Sequence, residues 1–261
     1  MNSSFHVSEG HIGMLISMPH NGQKIPSDIA QNMTETASKV PDTDWYMDKL
    51  YDFAKDMGIS IISPTYSRYV IDLNRDISGE NLYPGANSTE LCPTTAFDLS
   101  PLYESGKEPD EEEIARRIAL YWQPYHQCIS ELLEKMLNKY SKVVLLDAHS
   151  ILSEVPRFFE GKLPDFNFGS ANGASCSAAL MEKVTALDLS PYSSVSNGRF
   201  KGGYITRAYG QPDRNIHAIQ LELSQHTYMK EPSNVFDEEK AKNVKAKLKD
   251  FVSCLADFAQ E

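Results

Sequence analysis

The stretch that most constrains this chain is "VVLLDAHS", residues 143–150. Val143 to Leu146 is a short, unbroken apolar run. A run of this kind suits a strand buried on both faces, at the centre of a parallel sheet. The polar residues after it have no easy place in an apolar core. In open α/β sheets, ligands bind beyond the carboxyl ends of the strands. His149 therefore stands where a functional side chain is expected.

The rest of the chain alternates strand-like and helical patterns around that run. Ile12 to Met18 reads as a buried strand, and Ile59 to Ile62 and Tyr69 to Leu73 as short ones. Trp45 to Met57 has apolar residues at helical spacing, with Gly58 as a stop. Residues 76–108 are rich in Gly, Pro, Ser and Thr, a length that points to a functional loop. Asp110 and Glu113 form a capping pattern that opens a long helix, which Pro124 should kink or split. A second irregular stretch covers roughly residues 153–175, and Ala178 to Ala186 looks helical. Ile216 to Leu223 is strand-like, and Asp237 to Phe258 is a closing amphipathic helix. Residues 1–261 show no repeat and no linker. They predict one α/β domain with helices on both faces of a mostly parallel sheet.

Several function classes are excluded by charge and composition. The net charge of −11 comes with no basic stripe, which argues against a nucleic-acid partner. It also means that an anionic substrate must be held by local arginines. No apolar run reaches membrane-spanning length, and the N-terminus has no signal-peptide pattern, so a cytoplasmic protein is expected. Cys92, Cys128, Cys176 and Cys254 are irregularly spaced, which suits a reduced compartment better than a disulfide framework or a cysteine zinc site.

Three residues at strand ends could carry chemistry. His20 follows the first long strand in "MLISMPHNGQKIP", His149 follows the central one, and Glu222 lies within "IQLELS". Two histidines and a carboxylate from separate strands make the ligand set of a catalytic zinc site. A histidine after a strand is also a common turn residue, and a carboxylate among apolar neighbours needs a partner. Of two basic clusters, "YSRYVIDLNRD", with Arg68 and Arg75, could bind a carboxylate bidentately, whereas "NGRFKGGYITR", with Arg199, Lys201 and Arg207, reads as a glycine-rich loop that could approach a phosphate but lacks the spacing of either Gly-rich nucleotide motif. Ordinary surface salt bridges would explain the first equally well.

Taken together, "MPHNGQKIP", "DTDW", "YSRYVIDLNR", "LCPTTAFD", "YWQPYH", "LLDAHS", "VPRFFEGKLPDFNFG", "NGRFKGGYITR" and "QLELSQHTYM" resemble the N-formylglutamate amidohydrolase (deformylase) family, in the same order from about residue 14 to 231. That family is similar in fold to the zinc carboxypeptidases and aspartoacylase. The resemblance implies a three-layer α/β/α sandwich with a mixed, mostly parallel sheet and one Zn2+ per chain. It implies His20 and His149 as zinc ligands, Glu222 as the general base, and Asn74 and Arg75 of the Asp-Leu-Asn-Arg pattern as substrate contacts. The relatives' His-x-x-Glu pattern is broken here by Gln23, and a neutral amide is a poor zinc ligand. Asp44 in "PDTDWYMD" is expected to supply the missing carboxylate, with Asp42 as the alternative.

The implied reaction is zinc-dependent hydrolysis of N-formyl-L-glutamate to formate and L-glutamate, within L-histidine degradation. Arg68, Arg75 and Arg207 are the candidates to hold the two substrate carboxylates. A deacylase of another N-acyl amino acid remains an alternative. So does a metal-free binding protein of the same fold, for which the loss of His-x-x-Glu is the only support.

Overall fold

One seven-stranded sheet organises the computed structural model, which describes residues 3–79 and 87–261. Its strands are β1 (Phe5–Ser8), β2 (Met14–Ser17), β3 (Ser60–Pro64), β4 (Val143–Ile151), β5 (Phe166–Gly169), β6 (Ser194–Ser196) and β7 (Ile216–Ser224). Across the sheet they run β1-β3-β2-β4-β7-β5-β6. The inner four, β3, β2, β4 and β7, are parallel. β1 lies antiparallel on β3, while β5 lies antiparallel on β7 and carries β6 parallel to itself. The sheet is thus mixed and mostly parallel, as expected. A separate small pair, β8 (Met229–Lys230) and β9 (Val235–Phe236), follows it.

Helices cover both faces. Four one-turn helices, α1 (Ser27–Ala30), α2 (Glu35–Ser38), α3 (Met47–Leu50) and α4 (Phe53–Asp56), fill the connection from β2 to β3. α5 (Glu111–Arg117) and α6 (Gln123–Leu137) precede β4. α7 (Ala178–Thr185) lies between β5 and β6, α8 (Tyr204–Tyr209) between β6 and β7, and α9 (Glu238–Gln260) closes the chain. Strand alternation sorts β4 into two cores. Val144, Leu146 and Ala148 pack with Val244, Leu248 and Phe251 of α9. Val143 and Leu145 pack with Ile129 and Leu133 of α6. Each fully buried side chain of this size contributes about 1.5–3 kcal/mol, so α9 alone anchors one layer firmly.

The structure changes three expectations and bears out two. Trp45–Met57 is two short helices rather than one, and Gly58, at φ +74°, ends the second. Tyr69–Leu73 is no strand. Val70 N–H donates to Ser67 O, and the buried Asp72 carboxylate accepts from Asn74 N–H, so local bonds replace a ladder. The irregular stretch 153–175 contains β5. Pro124 splits the long helix through one π turn over Ile118–Trp122, where Gln123 N–H reaches Ile118 O. Proline's ring would collide with the carbonyl four residues back, and the wider turn relieves this. Asp110 caps α5 as its pattern predicts, accepting from Glu113 N–H at 2.9 Å. Residues 80–86 of the Gly/Pro-rich stretch lie outside the described residues.

The chain leaves β2 for β3 on one side of it and then crosses to β4 on the other. Strand order therefore reverses between β2 and β4. Their carboxyl ends carry His20 and His149.

Candidate active site

One face of β4 and β7 changes character halfway along. On β4, Val143 and Leu145 give way to Asp147 and His149; on β7, Ile216 and Ala218 give way to Gln220 and Glu222. The parallel register sets Asp147 beside Gln220 and His149 beside Glu222. Asn167 of β5 lies opposite Glu222 on its other side. The apolar core thus stops in mid-sheet and a polar floor begins, at the carboxyl ends of the strands. The loop before α8 lies directly on this floor. A side chain at Gly203 would place its Cβ 2.4 Å from Asn74 Nδ2, so only glycine allows that approach.

Three buried groups converge above the floor. Nδ1/Nε2 or carboxylate atoms of His20, Asp44 and His149 all lie within 4.8 Å of one another. Asp44 Oδ2 sits 3.1 Å from His149 Nδ1 and 3.9 Å from His20 Nδ1. Ligand atoms around tetrahedral zinc are about 3.3 Å apart at its usual bond lengths. Both imidazoles turn Nδ1 toward Asp44, and both have Nε2 anchored by a second carboxylate. His20 Nε2 bonds Asp72 Oδ1 at 2.6 Å, and His149 Nε2 lies 2.9 Å from Asp147 Oδ1. Paired carboxylates of this kind fix the tautomer and ring orientation of metal-ligating histidines. Asp44 N–H donates to His20 O and Ser150 N–H to Asp44 Oδ2, which ties the three segments together. This donor set fits one zinc ion.

Charge in the site is tightly balanced. Burial opposes the charge on Asp72, but the His20 ring and the Arg68 guanidinium outweigh it and hold the carboxyl well below its usual range. Arg68 Nη2 donates to Asp72 Oδ2 at 2.7 Å. Burial, aided by Arg68, lowers His20. Burial also opposes charge on His149, yet Asp147 and Asp44 raise it well above the ordinary imidazole value. Glu222 is pushed up to about 8, chiefly by burial, with Asp44 and Asp147 adding to the rise and His149 and Arg68 opposing it. Gln220 Nε2 donates to Glu222 Oε2 at 3.3 Å.

These groups line a cleft whose walls also include Asn74, Arg75, Phe97, Phe158, Arg199 and Phe200. The structure so brings together His20, Asp44, His149, Glu222, Arg68, Asn74 and Arg75. Arg207 is outside the lining: it sits on α8, and its Nε donates to Gly202 O at 2.8 Å. Arg199, from the same basic cluster, is inside. Asp42 is also elsewhere, accepting from Tyr69 O–H at 2.6 Å and Phe97 N–H at 2.8 Å. Gln23 is exposed. Asn74 does more than line the cleft. Its Nδ2 donates to Asp147 Oδ2 at 3.1 Å and packs 2.8 Å from His149 Nε2, while its Oδ1 accepts from Ile205 N–H. Sequence reasoning missed Asp147. Strand alternation was the available signal, since residue i−2 shares a face with His149.

The profile of the N-formylglutamate amidohydrolase family matches residues 12–229. An N-formylglutamate deformylase of Pseudomonas putida is 44% identical over 261 residues, covering 99% of this chain and 97% of that one. An N-formylglutamate deformylase of Pseudomonas aeruginosa is 46% identical over 233 residues, covering 88% and 87%. The crystal structure of an N-formylglutamate amidohydrolase from Ralstonia eutropha superposes with a TM-score of 0.83 at 23% identity, over 98% of both chains. That of a gene product from Agrobacterium tumefaciens gives 0.76 at 15% identity, over 98% and 96%. The two crystal structures speak to the fold alone.

Proposed function

The chain belongs to the N-formylglutamate amidohydrolase family, and from that premise we propose that it hydrolyses N-formyl-L-glutamate to formate and L-glutamate, using one zinc ion. The observation that carries this is the convergence of His20, Asp44 and His149 beside Glu222 in a single arginine-walled cleft. By the same resemblance, the reaction belongs to L-histidine degradation.

His20, Asp44 and His149 would hold the metal, with Asp72 and Asp147 orienting the two rings. A bound zinc ion would supply Lewis-acid polarisation and favour the ionised form of Glu222. Asp44 fills the gap left by Gln23, which weakens the one argument for a metal-free binding protein.

Glu222 acts as the general base. It takes a proton from the attacking water as the water oxygen bonds to the formyl carbon, and gives that proton to the amide nitrogen as the C–N bond breaks. The water oxygen leaves in formate, and the nitrogen becomes the amino group of glutamate. Gln220 and the burial around it keep the carboxylate fixed in orientation. Arg68, Arg75 and Arg199 set the positive wall that two substrate carboxylates need in a chain of net charge −11. Arg199 takes the place that sequence reasoning gave to Arg207. Phe97, Phe158 and Phe200 bound the remaining wall and exclude water.

The test is release of free amino acid from N-formylglutamate, N-acetylglutamate and N-formylaspartate, side by side. The reading expects N-formylglutamate to be preferred by at least about tenfold in kcat/KM, the scale on which one misfitted methylene or methyl is discriminated. A preference for the acetyl substrate would make the chain a deacylase of another class.

A further inference from the structure

Trp122 of the π turn and His126 of α6 are not among the residues that line the cleft. What they do touch is the loop that carries Asn74. Trp122 Nε1–H donates to Arg75 O at 3.0 Å, and His126 Nε2 lies 2.8 Å from Leu73 O. These carbonyls flank Asn74 on both sides. We infer that Trp122 and His126 are positioning residues that act through Asn74 to hold His149 in its ligating orientation. This rests on the metal-site reading given above.

The local geometry supports the assignment. Trp122 and His126 are four residues apart, their rings stacked with centroids 3.8 Å apart and an interplanar angle of 29°. Trp122 belongs to the π turn and His126 to the α-helix that follows, so the turn sets the angle at which the pair meets the loop. Burial lowers His126 to about 4, so at neutral pH it is uncharged and can donate from only one ring nitrogen. Leu73 O can only accept, so Nε2 carries the proton. Nδ1 then accepts from Tyr209 O–H, 2.9 Å away on α8. Tyr204 of α8 packs against both rings. α8 in turn delivers Ile205 N–H to Asn74 Oδ1 and Thr206 Oγ1 to Asp147 Oδ2. Asn74 is therefore held through its own N–H by Asp72, through its neighbours' carbonyls by the aromatic pair, and through its side chain by α8. Its Nδ2–H is left donating to Asp147 Oδ2, so that Asn74 steadies the carboxylate that in turn holds His149 Nε2. A loop residue lacks the ladder bonds that fix a strand residue, so precision here has to come from such a brace.

The test is a double-mutant cycle read on zinc affinity by chelator competition in the full chain. Trp122→Phe keeps the ring and removes only the N–H. It should weaken zinc binding about three- to tenfold alone and have no added effect in an Asn74→Ala background. His126→Gln, whose Nε2 can still donate to Leu73 O, should stay within about twofold of wild type, whereas His126→Phe should match Trp122→Phe. Additive effects in the double variant, or unchanged zinc affinity in both Trp122→Phe and His126→Phe, would overturn the inference. The cycle is run in parallel on metal-free protein, reading the ¹⁵N shifts of the His149 ring. Trp122→Phe should move them in the wild-type background alone. A wild-type chain with no zinc affinity would refute the metal reading, and the ring shifts would still decide the positioning role.

Discussion

Asp72→Asn removes one charge and almost no volume from a fully buried position, which makes it the sharpest perturbation of the site's scaffold. The carboxylate currently accepts from His20 Nε2, Arg68 Nη2 and Asn74 N–H, and Arg75 Nε lies 3.7 Å away. Asparagine can replace one acceptor but not the charge. Arg68 is 8% exposed, and its Nε already has no hydrogen-bond partner among the described residues, so the variant leaves a buried cation without its paired carboxylate. Breaking a buried pair in this way costs about 3–5 kcal/mol. For a chain of this length each kcal/mol moves the melting temperature by about 2–4 °C, so a fall of roughly 6–20 °C is expected. The His20 ring also loses its orienting carboxylate, which should weaken zinc binding by about 10–100-fold. The assays are thermal unfolding and chelator competition on the same preparation. A variant that melts within 2 °C of wild type and keeps zinc affinity within about twofold would refute the balance of charge described here.

Glu222→Gln preserves shape and should retain zinc and fold while kcat for N-formylglutamate falls about 10²–10⁴-fold; near-normal turnover would remove Glu222 from the proton transfer. Asp44→Ala should lose zinc on dialysis, whereas Asp42→Ala should keep it and lose about 1–3 kcal/mol of stability through the unpaired Tyr69 and Phe97 groups; the reverse pattern, read by metal content, would exchange their roles. Glu113 offers a pH test away from the site: hydrogen bonds from Arg116 and Arg117 draw it down to about 2, below its ordinary 4.5. Its contribution is therefore complete above about pH 4.5 and disappears as pH falls toward 2. Discounted for its partial exposure, the contribution is about 1 kcal/mol. Glu113→Gln should thus melt below wild type at pH 7, with the gap narrowing steadily between pH 4.5 and pH 3.

The parts of the fold legible in the sequence are those with long, regular burial. β4 and β7 are nine-residue runs buried throughout, and α9 keeps one apolar stripe over six turns. β1, β5 and β6 were missed because short, edge-proximal strands carry too few residues to show alternation. Tyr69–Leu73 was misread for a different reason. Its residues are as buried as a strand's, but they are buried inside a loop that a carboxylate organises, and periodicity does not separate the two. His20 and His149 were visible as polar residues after apolar runs. Asp44 became a candidate only through family resemblance, because the fold brings it to His149 across 105 positions of sequence. The grip of Trp122 and His126 on the Asn74 loop leaves no local signature at all, since it depends on one π turn and on the packing of α8.

The account stands or falls on the link between zinc and turnover. The direct measurement is formate release from N-formylglutamate by chelator-stripped protein, followed as zinc is added back in substoichiometric steps. The account predicts that turnover is absent in the stripped protein, rises linearly with bound zinc and saturates at about one zinc per chain. Full turnover by the stripped protein would contradict it.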